Sequence, residues 1–345
     1  MSIAEAYLVA RLEDKGAWVP IWLGFSIAIG YLLIRCAFDG FFLVTWGFPH
    51  GFSPFWLSDI WWSELVNAAL LGYVPAVLVI AHRGINRDLS QLRPWLLGTD
   101  AEVDDIRAAA TGRAGFVGQT YKLIAVVGAF AFVFVDPSLT QGAEPSLTNA
   151  AFMWPLLRTP LFIWFVFSLI VSDLKATRTY LHMGRNLIEV DLLDVQPLSP
   201  FARRGLRSAL CWVIFSIIFS LFWLGDAASP ANPLLFVAVI TMATAAFVVP
   251  LIGVHNNILA VKRSELNRLR NEIRVERAAA LDKLSDVASP RLANLIAYYQ
   301  LVDRAREWPI DAANLLRFFM YLVIGLGSWL GGAIVERLLD RTLGG

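Results

Sequence analysis

Residues 234–254 read LLFVAVITMATAAFVVPLIGV, and residues 255–287 follow at once as HNNILAVKRSELNRLRNEIRVERAAALDKLSDV. The first stretch has no ionisable side chain. At about 1.5 Å of rise per residue its length as a helix matches the roughly 30 Å hydrocarbon layer of a bilayer. In the second stretch Leu259, Leu266, Leu269, Ile273, Ala280, Leu284 and Val287 recur at helical spacing, with charges of both signs on the remaining faces. The junction predicts one helix that crosses a membrane and continues into water.

Six further runs are read as spans: 17–37, 65–81, 114–135, 151–172, 208–225 and 315–335. The run 114–135 carries Gln119 and Lys122 in its first half, and a lysine near a helix end extends its ammonium group to the interface. The chain as a whole is 57% hydrophobic and 13% aromatic, with a mean hydropathy of +0.59 and a net charge of +1. A large soluble core would also be apolar, but its helices and strands are ordinarily much shorter than these runs. Lipid offers the backbone no hydrogen-bond partner, so the runs must be helical. The expectation is an all-α integral membrane bundle of seven spans. Residues 1–254 hold the first six, 255–313 form amphipathic cytoplasmic helices, and 314–345 hold the last span and a tail. The first run is too long for a signal-peptide core and has no small-residue cleavage site after Arg35-Cys36-Ala37, so it is expected to stay uncleaved. Cys36 and Cys211 fall near opposite faces, and no disulfide is expected.

Orientation follows from arginine and lysine, which accumulate on cytoplasmic flanks. With seven spans and an inner amino terminus, 25 of the 29 basic residues fall inside. Only Arg35, Arg158, Arg337 and Arg341 lie elsewhere, and the carboxyl terminus is external. Omitting 114–135 would turn the eleven basic residues between Lys262 and Arg317 outward. The outer connections are acidic, and Asp39, Asp136 and Asp226 are candidates for an acidic outer mouth. The connection 38–63 is rich in tryptophan and phenylalanine, suited to the headgroup layer, and is broken by Pro49, Gly51 and Pro54.

Within the cytoplasmic segment, Ser289-Pro290 breaks the long helix, a second helix covers 291–306, and Asp311 caps the last span. These helices either couple or join subunits, or pack on the chain's own inner loops. Gly325, Gly327, Ser328, Gly331 and Gly332 give the last span a small-residue face for close packing or pore lining. His82, His182 and His255 follow inner span ends, but metal-ligand spacing is lacking, and separate interfacial roles are expected. Glu189, Asp191 and Asp194 could hold a cation, although an amphipathic helix ending in a proline turn explains the same stretch. Arg158 and Asn67 are the polar candidates inside spans, and their isolation argues against ion-coupled active transport.

Nucleotide-binding, metalloprotease, serine-hydrolase and kinase motifs are all missing from the sequence, so neither enzymatic activity nor a cofactor is expected. In layout, with the segment 262–317 followed by the span 315–335, the chain resembles the seven-helix insect odorant and gustatory receptor type of channel. That resemblance implies helices extended into a cytoplasmic anchor before the last span. The family's Thr-Tyr…Gln-Phe signature is replaced here by Phe318-Phe319-Met320-Tyr321, so no pore residue carries over. Glu307-Trp308-Pro309, Leu315-Leu316-Arg317-Phe318 and Ser328-Trp329-Leu330-Gly331-Gly332-Ala333 are also similar to stretches of a bacterial multi-pass membrane protein family, a likeness that implies no activity. The first functional expectation is an oligomeric channel-like or receptor-like protein of the cell (inner or plasma) membrane, passing a small cation or answering a small-molecule ligand. The second is a non-conducting scaffold or sensor that binds a protein or anionic lipid. The third is a passive transporter or intramembrane enzyme. The bilayer and further copies of the chain are the expected partners, and nucleic acid is not.

Overall fold

The computed structural model describes residues 16–46, 61–111, 116–135, 146, 148–223, 231–282, 290–325 and 327. Among these the secondary structure is helical: α1 (Val19–Trp46), α2 (Trp61–Leu92), α3 (Asp100–Thr111), α4 (Phe116–Val135), α5 (Ala150–Asn186), α6 (Ser199–Ser220), α7 (Ala231–Asp282), α8 (Pro290–Asp303) and α9 (Ala312–Gly325). Four helical stretches are long and apolar enough to cross a membrane: Val19–Thr45, Trp61–Trp95, Ala150–Asn186 and Ile240–Ala279. The chain is a helical membrane protein. The other three runs expected to span fall on α4, α6 and α9. The apolar parts of α4 and α9 are short in the described residues, at Gln119–Val135 and Ala312–Gly325. Arg203, Arg204 and Arg207 open α6 and leave only residues 208–220 as its apolar part.

The centre of the bundle is α2, α5, α6 and α7, packed through Leu70, Val74, Leu78, Ile85, Tyr180, Met183, Phe201, Leu206, Leu251 and Val254. Around it, α1 lies against α2, and α4 lies against α5. Lipid removes the hydrophobic drive between helices, so contact depends on close fit and hydrogen bonds. Both are present between α1 and α2, where a Cβ on Gly24 would lie 3.0 Å from the Gly72 carbonyl oxygen and one on Gly72 would collide with that of Gly24. Gly72→Val is therefore expected to destabilise the fold by about 1–3 kcal/mol, read as a lowered unfolding midpoint in detergent. An unchanged midpoint would mean that α1 is not seated on α2.

Hydrogen bonds add to the fit. The Trp62 indole donates to the Leu221 carbonyl (2.6 Å) and the Tyr73 hydroxyl to that of Cys211 (2.7 Å), tying α2 to α6. Outward, Trp22, Phe25, Ile29 and Leu33 of α1, Leu123, Ile124, Val127 and Phe134 of α4, and Leu316, Phe319 and Val323 of α9 are exposed. Water would not tolerate so much contiguous apolar surface, but hydrocarbon does.

Several elements differ from expectation. Residues 38–46, expected as the start of an outer loop, continue α1, because Phe38, Phe41, Phe42 and Leu43 extend its apolar pattern. The amphipathic helix expected through Glu189, Asp191 and Asp194 is not formed, because α5 ends at Asn186. Residues 187–189 instead pair with Trp95–Leu97 in an antiparallel bridge, with Leu97 N donating to Leu187 O and Glu189 N to Trp95 O, both at 2.8 Å. Asn257 Nδ2 donates to Ile188 O (3.0 Å) and fastens this patch to α7. Thr99 and Glu102 close a reciprocal cap on α3, at 2.8 Å from Thr99 N to Glu102 Oε2 and 3.4 Å in return.

The expected continuation of the apolar run 234–254 into a polar helix is what α7 shows: 52 residues without a break, with Pro250 inside. Its polar part pairs antiparallel with α8 through Leu266, Leu269 and Val302. Arg270 Nη2 donates to the Tyr299 hydroxyl at 3.0 Å, and Arg291 pairs with Glu276 at 3.1 Å. Asp311 caps α9 as expected, its Oδ1 accepting from Asn314 N at 2.8 Å.

Candidate functional site

The sequence reading placed little charge inside the bundle. The structure corrects this, because Arg35, Asp39, Glu64, Asp88, Lys122 and Arg204 are all buried. Five of the six lie in two polar layers. A carboxylate in a helix that neighbours cover on every side must be matched by donors from those neighbours, and both layers are built that way.

The first layer lies at the carboxyl-terminal half of α1 and the amino-terminal ends of α2 and α5. Glu64, in the first turn of α2, is 2% exposed. Its Oε1 accepts from Trp154 Nε1 (3.1 Å) and Arg158 Nη1 (3.0 Å), and its Oε2 accepts from the Tyr31 hydroxyl. Arg35 bridges to Asp39 at 3.0 Å and stands 4.0 Å from Glu64. The Arg35 guanidinium also lies 4.8 Å from the centre of the Trp154 ring, a cation–π contact. Two arginines face two carboxylates, and the layer carries no net charge.

The second layer joins α2, α5 and α6. Asp173 Oδ1 accepts from Arg204 Nη2 (2.8 Å) and Ser208 Oγ (2.6 Å), and its Oδ2 accepts from Trp212 Nε1 (3.0 Å). Asp88 takes the Tyr180 hydroxyl at 3.2 Å and pairs with Arg207, which lies across Gly84 where a Cβ would meet its guanidinium. Again two cations meet two anions. Twenty-four residues of α2, about 36 Å of helix, separate Glu64 from Asp88, and fifteen residues of α5, about 23 Å, separate Arg158 from Asp173. Those spacings bracket a hydrocarbon layer of roughly 30 Å.

Asp39, expected at an acidic outer mouth, is thus buried against Arg35, while Asp136 and Asp226 lie outside the described residues. Arg158 joins the Glu64 layer, and Asn67, one turn along α2, donates to the Ser63 carbonyl at 2.8 Å. Gly325 packs near Val213, and a Cβ on Gly327 would meet nothing within 4 Å. Ser328, Gly331 and Gly332 lie outside the described residues. Lys122 is covered by α5, with its ammonium 5.2 Å from the centre of the Trp164 ring.

The three histidines do not converge. His82 is buried in α2, His182 meets Asn186 at 3.1 Å, and His255 stacks on Trp308 with ring centres 3.9 Å apart. Asp191 and Asp194 accept from the backbone of Leu193 (2.8 Å) and Gln196 (3.0 Å), closing turns in the 187–195 connection. No cluster of three or more metal-ligating residues occurs among the described residues.

A third group ties the hairpin to the last helix. Lys262 donates to Glu307 Oε1 (2.9 Å) and to Ala305 O (3.1 Å), and His255 Nδ1 meets Glu307 O at 2.8 Å. The hydrogen bond and charge of Lys262 hold the Glu307 carboxyl below its usual range. This group fixes residues 305–308, the connector from α8 to α9, on the side of α7.

Sequence periodicity shows neither layer, because their members come from different helices. An arginine and an acid four residues apart, as in Arg35 and Asp39, is the one local signal. No model of a known protein family, no curated protein and no solved structure matches the chain.

Proposed function

We propose that the chain is a subunit of an oligomeric, channel-like protein of the cell membrane. It crosses seven times with its basic loops in the cytoplasm, and the hairpins of α7 and α8 join the subunits there. Any path for a small cation then runs between copies, beside α9, rather than through one chain. The cavity between α2, α5 and α6 has a volume of about 20 Å³. This cavity is too small for the substrate of a transporter or an intramembrane enzyme.

The observation that carries this reading is the outward face of α8. Leu295, Tyr298, Tyr299 and Val302 turn to α7, while Ala293, Ile296, Ala297, Gln300 and Leu301 are exposed on the other side. That outer stripe has the three-four spacing of a packing seam and no charge. Copies in one bilayer share height and orientation, so equivalent stripes lie at one level and can meet across a two-fold axis. The connector at Lys262, Glu307 and Trp308 then passes a rearrangement of the hairpins to α9. The scaffold reading is weaker where anionic lipid is concerned, since residues 262–311 hold ten basic against eight acidic side chains.

The test is a single cysteine at Ala297 in a chain with Cys36 and Cys211 replaced by serine. Mild oxidation in membranes is expected to give disulfide-linked dimers, while Arg268→Cys, on an exposed part of α7, gives few. Liposomes carrying the unaltered protein are expected to pass potassium or sodium. A monomer in nanodiscs together with liposomes tight to both ions would end this proposal.

A further inference from the structure

The cavity of about 20 Å³ lies between the two ion pairs of the second layer. One side is apolar, with Leu78, Ala81 and Ala176, and the other is formed by Asp173, Arg204 and Arg207. Its volume admits a water molecule. The charges around it cancel, Arg204 against Asp173 and Arg207 against Asp88. An anion would meet the Asp173 carboxylate and a cation would meet two guanidinium groups, so the lining selects a neutral ligand.

Arg204 supplies the demand for one. It is 4% exposed, and its Nη2 is committed to Asp173. Its Nε is buried and meets no acceptor among the described residues. A guanidinium N–H withdrawn from solvent and left without an acceptor is costly, and the cavity that Arg204 lines is where an acceptor would fit. Ser172 and Ser208 line the same space and offer hydroxyl oxygens, so a water there has partners for its own hydrogens.

We propose that this cavity is a binding site for a single ordered water, which accepts from Arg204 Nε and donates to the Ser172 and Ser208 hydroxyls, completing the hydrogen bonding around the Asp173 pair. The site is independent of whether the protein conducts ions or assembles.

The test is a double-mutant cycle on the full chain in nanodiscs, read by thermal unfolding. Ala81→Leu fills the cavity. If water serves Arg204 there, its displacement lowers the midpoint by about 2–5 °C. Arg204→Lys keeps a cation for Asp173 but removes the Nε, and in that background the same Ala81→Leu change is expected to cost under about 1 °C. A raised midpoint for Ala81→Leu alone would mean a dry cavity, and an equal drop in both backgrounds would mean simple overpacking; either overturns the proposal. Should Arg204→Lys fail to fold, a high-resolution map of the unaltered protein decides. One solvent peak in hydrogen-bonding range of Arg204 Nε supports the site, and its absence refutes it.

Discussion

Glu64→Ala is expected to destabilise the protein by about 3–5 kcal/mol, the cost of removing one member of a buried ion-pair network. The change strips the acceptor from Tyr31, Trp154 and Arg158 together. It also leaves Arg35 and Arg158 facing Asp39 alone, so the layer gains an uncompensated positive charge. Glu64→Gln keeps the shape and one acceptor oxygen and should cost less, about 1.5–3 kcal/mol, because charge-assisted hydrogen bonds are lost but the space stays filled. Thermal unfolding in nanodiscs measures both. An alanine variant within about 0.5 kcal/mol of the unaltered protein would show that the layer is hydrated, not buried as described.

At the second layer, Asp173→Leu should cost a similar 3–5 kcal/mol, because Arg204 is then a covered cation without its anion. The stronger form of the prediction is the recovery. Combining Asp173→Leu with Arg204→Met removes both charges and is expected to regain most of the loss, since apolar replacements of a whole buried pair are near neutral. A residue of about 1–2 kcal/mol should persist, as Ser208 and Trp212 still lack the acceptor that Asp173 gave them. Losses that simply add, with no recovery, would mean that Asp173 and Arg204 act separately.

How far the sequence foretold this structure depends on the range of the interaction. The long α7 was legible because its evidence is local: an apolar run, then a polar helix in phase with it. The Asp311 cap was legible for the same reason, as a cap spans three residues. Glu64 escapes the sequence because an acid just before an apolar run looks like a loop residue. What covers it is Tyr31, 33 positions earlier, and Trp154 and Arg158, 90 and 94 positions later. Arg204 and Arg207 were counted as ordinary basic flank for a parallel reason: their carboxylates sit on α5 and α2, and only packing reveals the match. Charge counting sees the sign of a flank and not the identity of its partner. The glycine face of the last span is legible as composition, but its partner depends on contacts that composition does not encode.

The uninterrupted course of α7 has a mechanical consequence. The 24 residues from 259 to 282 form a stiff arm of about 36 Å beyond the part of α7 that Leu251, Val254 and Ile258 hold in the core. An unbroken helix turns as one piece, so the arm follows any tilt of that buried part. A tilt of about 5° there would swing the far end by roughly 3 Å, more than half of a one-turn slip between packed helices. Leverage on this scale lets a sub-ångström adjustment among lipid-embedded helices become a displacement large enough to make or break contacts far from the bilayer, and it works equally in reverse.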